Sequence, residues 1–188
     1  MATTADIKKG ITLNFKNDIY LVLDFQHVKP GKGGAFVRTR LKSLTSGKII
    51  DQTFNSGEEI SLVTVQRRKY QYLYNDDAGY HFMDQNTFDQ VTLDADLITG
   101  KEFLKEGQEV EIVFHSETER PLSCELPVHV VLTVDYAEPA VKGDTANNPM
   151  KKARLETGAD ILVPMFVESG IKIKVDTRTG EYVERVKE

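Results

Sequence analysis

The sequence predicts an all-β protein made of three small β-barrels in series, and three observations carry this expectation. Apolar and polar residues alternate with a period of two in runs such as "AFVRTRLKSL" and "IKIKVD", which sends one row of side chains to a core and the other outward. Turn-forming clusters ("KPGKGG", "TSG", "NSGEE", "DDAG", "ESG", "TRTG") break the runs at short intervals, each rich in the residues that tight turns require. The 188 residues, 40% of them hydrophobic, suffice for several small cores, and one segment alone shows helical spacing.

The first unit is expected over residues 1–64. "IYLVLDF" supplies a strand and "AFVRTRLKSL" the return strand, in which Ala35, Val37, Thr39 and Leu41 alternate with Phe36, Arg38, Arg40 and Lys42. The result is a small antiparallel barrel with one long hairpin and an outward basic row. At the hairpin tip Pro30 fixes one φ angle, while Gly31, Gly33 and Gly34 permit positive φ and leave no side chains around Lys32.

The second unit is expected over 65–127. "YQYLYN" and "YHFMD" flank the turn "DDAG", and "VEIVFHS" continues the strand pattern. The exception is "TLDADLITGKEFLKEG", where Leu93, Leu97, Ile98 and Leu104 predict one short amphipathic helix with Thr92 or Asp94 as its N-cap. The third unit, 128–188, follows the loop-rich "YAEPAVKGDTANNPMKKA" with "DILVPMFV", "IKIKVD" and "EYVERV". Ile171, Ile173 and Val175 alternate with Lys172, Lys174 and Asp176, the pattern of an edge hairpin with one solvated face.

Net charge is −5, and its distribution matters more than its sum. Residues 1–64 hold 9 Lys/Arg against 6 Asp/Glu, residues 65–127 hold 6 against 13, and residues 128–188 hold 9 against 10. From Phe25 to Ile50 there is no acid, while Lys29, Lys32, Arg38, Arg40, Lys42 and Lys48 are basic. That is a local field suited to phosphates, and the acidic middle unit is not. The middle unit is expected to face protein or solvent.

Enzyme chemistry has no visible constellation. His27, His81, His115 and His129 share no metal-ligand spacing with Cys124, the single cysteine, so no metal or cofactor is expected. Neither "PGKGGA" nor "TSGKII" has the phosphate-loop pattern, and no G-x-S-x-G elbow is present. The N-terminal "MATTADIKKGITLNF" lacks the order of a secretory signal, and no apolar run reaches a membrane span. A cytoplasmic protein without a membrane partner is expected.

Four ordered segments resemble the bacterial translation elongation factor P family, a relative of the eukaryotic and archaeal initiation factor 5A family. "DFQHVKPGKGGAFVRTRLKSLTSG" resembles its first-domain hairpin, "YLYNDDAGYHFMD" its second-domain hairpin and "VKGDTANNPMKKA" its third-domain loop. "KARLETGADILVPMFVESGIKIKVDTRTGEYVERV" matches its C-terminal signature. The resemblance implies an SH3-like (KOW-type) barrel followed by two OB barrels, in an L-shaped, tRNA-like outline. It implies a monomeric, non-enzymatic factor that binds the ribosome between P and E sites and relieves stalling at consecutive prolines.

Residue by residue, Lys32 matches the family lysine that reaches the CCA end of P-site tRNA and is commonly lengthened by a modifying enzyme. Lys29, Pro30, Gly31, Gly33 and Gly34 form its tip. Arg38 and Arg40 are the candidates for tRNA backbone contacts. Gly143, Asp144 and Thr145 match the loop thought to approach the mRNA codon of the E site, an ordinary Gly/Asp turn being the alternative. The sequence leaves open whether Lys32 carries a beta-lysyl group, an aminopentanol group or no addition. From another class, a generic single-stranded nucleic-acid-binding protein of OB barrels would use exposed aromatics, for which Tyr70, Tyr72, Tyr74 and Phe82 are available.

Overall fold

The computed structural model describes residues 2–139 and 149–186, and the described residues form three β-sheets. Contacts group residues 1–68 with 112–124 in one compact unit and 69–111 with 125–188 in a second.

The first sheet contains β1 (Ala2–Thr3), β2 (Thr12–Phe15), β3 (Asp18–Val28), β4 (Phe36–Ser43), β5 (Ile49–Asn55) and β6 (Glu59–Val63), in the order β1-β6-β2-β3-β4-β5. Alternation in β4 comes out as the sequence implies. Val37, Thr39 and Leu41 are buried while Arg38 and Arg40 are exposed. Ile7, Leu13, Val22, Val37, Leu41 and Phe54 form the core, and Phe15 meets Phe54 edge to face at 5.4 Å. Each such side chain contributes about 1.5–3 kcal/mol by leaving water.

The register of the β3–β4 hairpin is pinned at its base. Asp18 accepts hydrogen bonds from the Ser43 hydroxyl (2.6 Å) and the Thr45 hydroxyl (2.7 Å), so the "TSG" turn is tied to the start of β3. Pairing then runs from Tyr20↔Ser43 to Val28↔Phe36, with an irregularity between Val22 and Asp24. Leu23 is the extra residue of this bulge. Because side chains alternate with period two, the bulge resets which face the rest of β3 presents. The same unit holds a second small cluster of Leu44, Val113 and Leu122, packed with Ile19, Leu21 and Val65.

The second sheet contains β7 (Val65–Asp76), β8 (Gly79–Asp84), β9 (Gln90–Leu93), β10 (Ile98–Thr99), β11 (Glu109–His115) and β12 (Pro121–Glu125), ordered β10-β12-β11-β7-β8-β9. Here the expected amphipathic helix is corrected. Residues 92–107 hold two 3-10 turns, Ala95–Leu97 and Lys101–Phe103, separated by β10. Gly100 is the physical reason, because it takes a left-handed φ of 77° and breaks the helical repeat. A Cβ there would sit 2.8 Å from the Thr177 carbonyl oxygen. Asp94 holds the N-cap position of the first turn without a side-chain cap bond. Thr92 belongs to β9, its hydroxyl 3.0 Å from His81 Nδ1.

The third sheet is β15-β14-β13-β16-β17, from β13 (His129–Ala137), β14 (Met150–Leu155), β15 (Asp160–Pro164), β16 (Lys172–Asp176) and β17 (Tyr182–Arg185). Its core joins Val130, Leu132, Ala153, Leu155, Val163, Ile173 and Val175 to Phe103 from the second 3-10 turn. Phe103 is buried, and its ring lies 3.4 Å from where a Gly180 Cβ would stand. The β16–β17 turn is closed by Asp176, which accepts from the backbone N–H of Arg178 at 2.8 Å and from its guanidinium Nη2 at 3.0 Å. The hydrogen bond from the Arg178 side chain, reinforced by the backbone donors, holds the Asp176 carboxyl down at about 2. Within the same unit, Lys105 pairs with Glu156 at 3.0 Å. Burial pushes the Glu156 carboxyl up, but hydrogen bonds from the Thr133 N–H and Lys105 outweigh it and leave it below the usual range.

Candidate nucleic-acid interface

The site expected from sequence is built on the β3–β4 hairpin. Strand pairing ends at Val28↔Phe36, so residues 29–35 form a seven-residue tip with Lys32 at its centre. Lys29, Gly31, Lys32, Gly33 and Gly34 are exposed, and Pro30 is half-buried. The three glycines divide by role. Gly33 takes φ 106°, a conformation that side chains disfavour. Gly31 and Gly34 lie outside that region, and a Cβ at either would meet nothing within 4 Å. Among the described residues, nothing therefore requires glycine at 31 or 34. Open space surrounds both positions.

Below the tip, Arg38 and Arg40 project from the exposed row of β4, roughly 7 Å and 14 Å from the hairpin mouth at strand rise. Their surroundings differ. Arg38 faces Gln26 on β3 and Thr53 on β5, and its guanidinium carbon lies 5.4 Å from the Phe36 ring centroid. Arg40 faces Asp24 on one side and Asp51 on the other. Directly opposed residues on a sheet have Cβ atoms about 4.5–5.5 Å apart, so Asp24 and Asp51 stand on the same exposed face as Arg40, one on each neighbouring strand. Asp24, Gln26, Arg38, Arg40 and Asp51 line one open cleft.

Asp24 and Asp51 are the residues that reading the sequence did not single out. They bound the acid-free stretch from Phe25 to Ile50, one on each side. The Leu23 bulge brings Asp24 opposite Arg40; without it Leu23 would hold that place. A bulge of this kind has no short-range signature beyond the apolar run "YLVLDF", so the pairing had no readable signal.

The base-stacking aromatics required of a generic OB binder fare differently. Tyr70, Tyr72 and Phe82 are buried, Tyr72 and Phe82 with ring centroids 5.4 Å apart. Tyr74 is 52% exposed, but its ring stacks on His81 at 4.5 Å. The loop at Gly143, Asp144 and Thr145 lies outside the described residues. Among the described residues, no group of three or more His, Cys, Asp or Glu is placed to hold a metal, and no helix is long and apolar enough to cross a membrane.

Comparison with known proteins supplies the remaining observation. Residues 3–60 match the elongation factor P KOW-like domain, 65–123 the elongation factor P OB domain, and 130–185 the elongation factor P C-terminal domain. The chain belongs to the elongation factor P family. Elongation factor P of Amoebophilus asiaticus is 56% identical over 187 residues, covering 100% of this chain and 98% of the relative. Elongation factor P of Azobacteroides pseudotrichonymphae is 57% identical, covering 100% of both. Among solved structures, a translation initiation factor eIF-5A family protein from Naegleria fowleri superposes with a TM-score of 0.51 at 15% identity, covering 66% of this chain and 96% of the other. That likeness concerns the fold. As a member of the elongation factor P family this chain is a translation elongation factor, with KOW and OB domains in series.

Proposed function

We propose that this factor binds the ribosome between the P and E sites, contacts P-site tRNA and stimulates peptide-bond formation where consecutive prolines stall it. The observation that carries the reading is Lys32, exposed at the centre of a tip whose flanking glycines leave open space, in a chain of the elongation factor P family. Lys32, after lengthening by a modifying enzyme, reaches the CCA end of the tRNA, and its ammonium donates to phosphate and ribose oxygens. Prolyl substrates restrict their own backbone and react from poor geometry. A group that holds the tRNA end in place lowers the barrier by positioning, with no proton transferred to or from the factor.

In this reading Lys29, Pro30, Gly31, Gly33 and Gly34 form the insert, and Arg38 with Arg40 lies along the tRNA backbone. Gly143, Asp144 and Thr145 approach the E-site codon. The domains run 1–64, 65–127 and 128–188, the protein acts as a cytoplasmic monomer, and the acidic middle domain stays off RNA backbone. The generic single-strand binder is disfavoured because three of its four candidate stacking rings are buried.

The test is reconstituted translation of a three-proline reporter with no factor, with protein purified from its native source, and with its Lys32→Ala variant. Rescue by the native protein and loss in the variant is expected. No rescue from protein whose intact mass shows a modified Lys32 overturns the reading.

A further inference from the structure

The cross-strand arrangement around Arg40 carries a consequence for which RNAs this face accepts. Arg38 and Arg40 are two positive charges on one cleft, and Asp24 and Asp51 are two negative charges on the same cleft. Seen from beyond a few ångströms, the cleft is close to neutral. Seen at contact distance it is not uniform: Arg40 has a carboxylate across each strand boundary, whereas the direct neighbours of Arg38 are the uncharged Gln26 and Thr53. Arg38 meets the two aspartates only on the diagonal, not directly across a strand boundary.

We propose that Asp24 and Asp51 are specificity residues that neutralise Arg40 and so hold down the affinity of this face for arbitrary RNA. This rests on the reading that the hairpin lies on a tRNA backbone. Affinity for any polyanion grows with each phosphate neutralised, independent of sequence. A factor that must find one tRNA among a great excess of exposed RNA gains selectivity by lowering that term. Arg38 then supplies a short-range phosphate contact. Arg40 makes a second contact only where docking brings a phosphate close enough to outweigh the two aspartates.

The experiment is fluorescence anisotropy with a mixed-sequence 20-nucleotide single-stranded RNA, from about 50 to 200 mM salt. The proteins are the full chain, Asp24→Asn/Asp51→Asn, Arg40→Ala, and the triple variant. The double variant is expected to bind roughly threefold to tenfold tighter at the lowest salt, with a log–log salt slope steeper by about 0.7, one additional phosphate. The gain should disappear in the triple variant, because it acts through Arg40. Unchanged affinity and slope in the double variant, or an equal gain in the triple variant, overturns the proposal. Asp51→Asn alone serves as a milder variant, expected to move both readouts the same way by a smaller amount. Thermal denaturation confirms that each protein is folded. Naked RNA is the ligand, so a failure here is distinct from failure of the polyproline reading, which the reporter tests separately.

Discussion

Gly34→Ala separates what the fold needs from what a docking partner needs. In the folded chain the new methyl group meets nothing within 4 Å, and the backbone there is outside the left-handed region. Alanine restricts the unfolded chain more than glycine, so Gly34→Ala and Gly31→Ala should leave stability unchanged or raise it by about 0.4–1 kcal/mol. Gly33→Ala is the internal contrast. At φ 106° a Cβ is strained by about 1–2 kcal/mol, which the exposed tip partly relieves by rearranging. Thermal denaturation should rank the three variants accordingly, with Gly33→Ala lowest by a few degrees. Three-proline reporter translation should rank them otherwise. If the tip enters a narrow RNA cleft, methyl groups beside Lys32 obstruct it, and Gly31→Ala and Gly34→Ala lose activity despite full stability. Intact mass must show Lys32 modified to the same extent as in the parent. Full activity in both stable variants, equally modified, would refute the clearance argument.

Other consequences concern the scaffold. Phe103→Ala removes a buried ring from the core it shares with Leu132, Ile173 and Val175 and should destabilise by about 3–5 kcal/mol, measured by denaturant unfolding at constant m-value. Asp176 has a carboxyl held at about 2 in the fold, below its usual value, so its stabilisation is present at neutral pH and lost as pH falls through that value. The melting temperature of Asp176→Asn should therefore lie below the parent at pH 7, with the gap closing toward pH 2. A constant gap across that range contradicts the assignment. Gly100→Ala places a methyl group 2.8 Å from the Thr177 carbonyl oxygen at φ 77°, and should lower the melting temperature more than any substitution at Gly31 or Gly34.

Much of this was legible in the sequence because local patterns and physical causes coincide. The outward basic row of β4 follows from alternation alone, as does the inward set Val37, Thr39 and Leu41. The tip is readable because Pro and Gly have few other reasons to cluster between two strands. The two 3-10 turns look like one short helix in the sequence because Leu93, Leu97, Ile98 and Leu104 match helical spacing, whereas Gly100 is needed at a left-handed angle against Thr177 of the β16–β17 turn, a contact 77 positions away. Asp24 and Asp51 are hidden in the sequence for a related reason. Along the chain they only end the acid-free stretch, while pairing across the sheet sets them on either side of Arg40. Tyr70, Tyr72 and Phe82 looked available for stacking because composition does not say which face of a strand is buried.

In the proposed function the hairpin tip lies at the acceptor end of P-site tRNA. Cys124 is the single cysteine and is fully buried, so Lys29→Cys offers one accessible thiol while leaving Lys32 intact. Hydroxyl radicals generated from an iron chelate on that thiol, in ribosomes stalled on consecutive prolines, should cut the P-site tRNA most strongly at its 3′-terminal nucleotides. Cleavage confined to the tRNA elbow, or to rRNA remote from the peptidyl-transferase centre, would contradict the account.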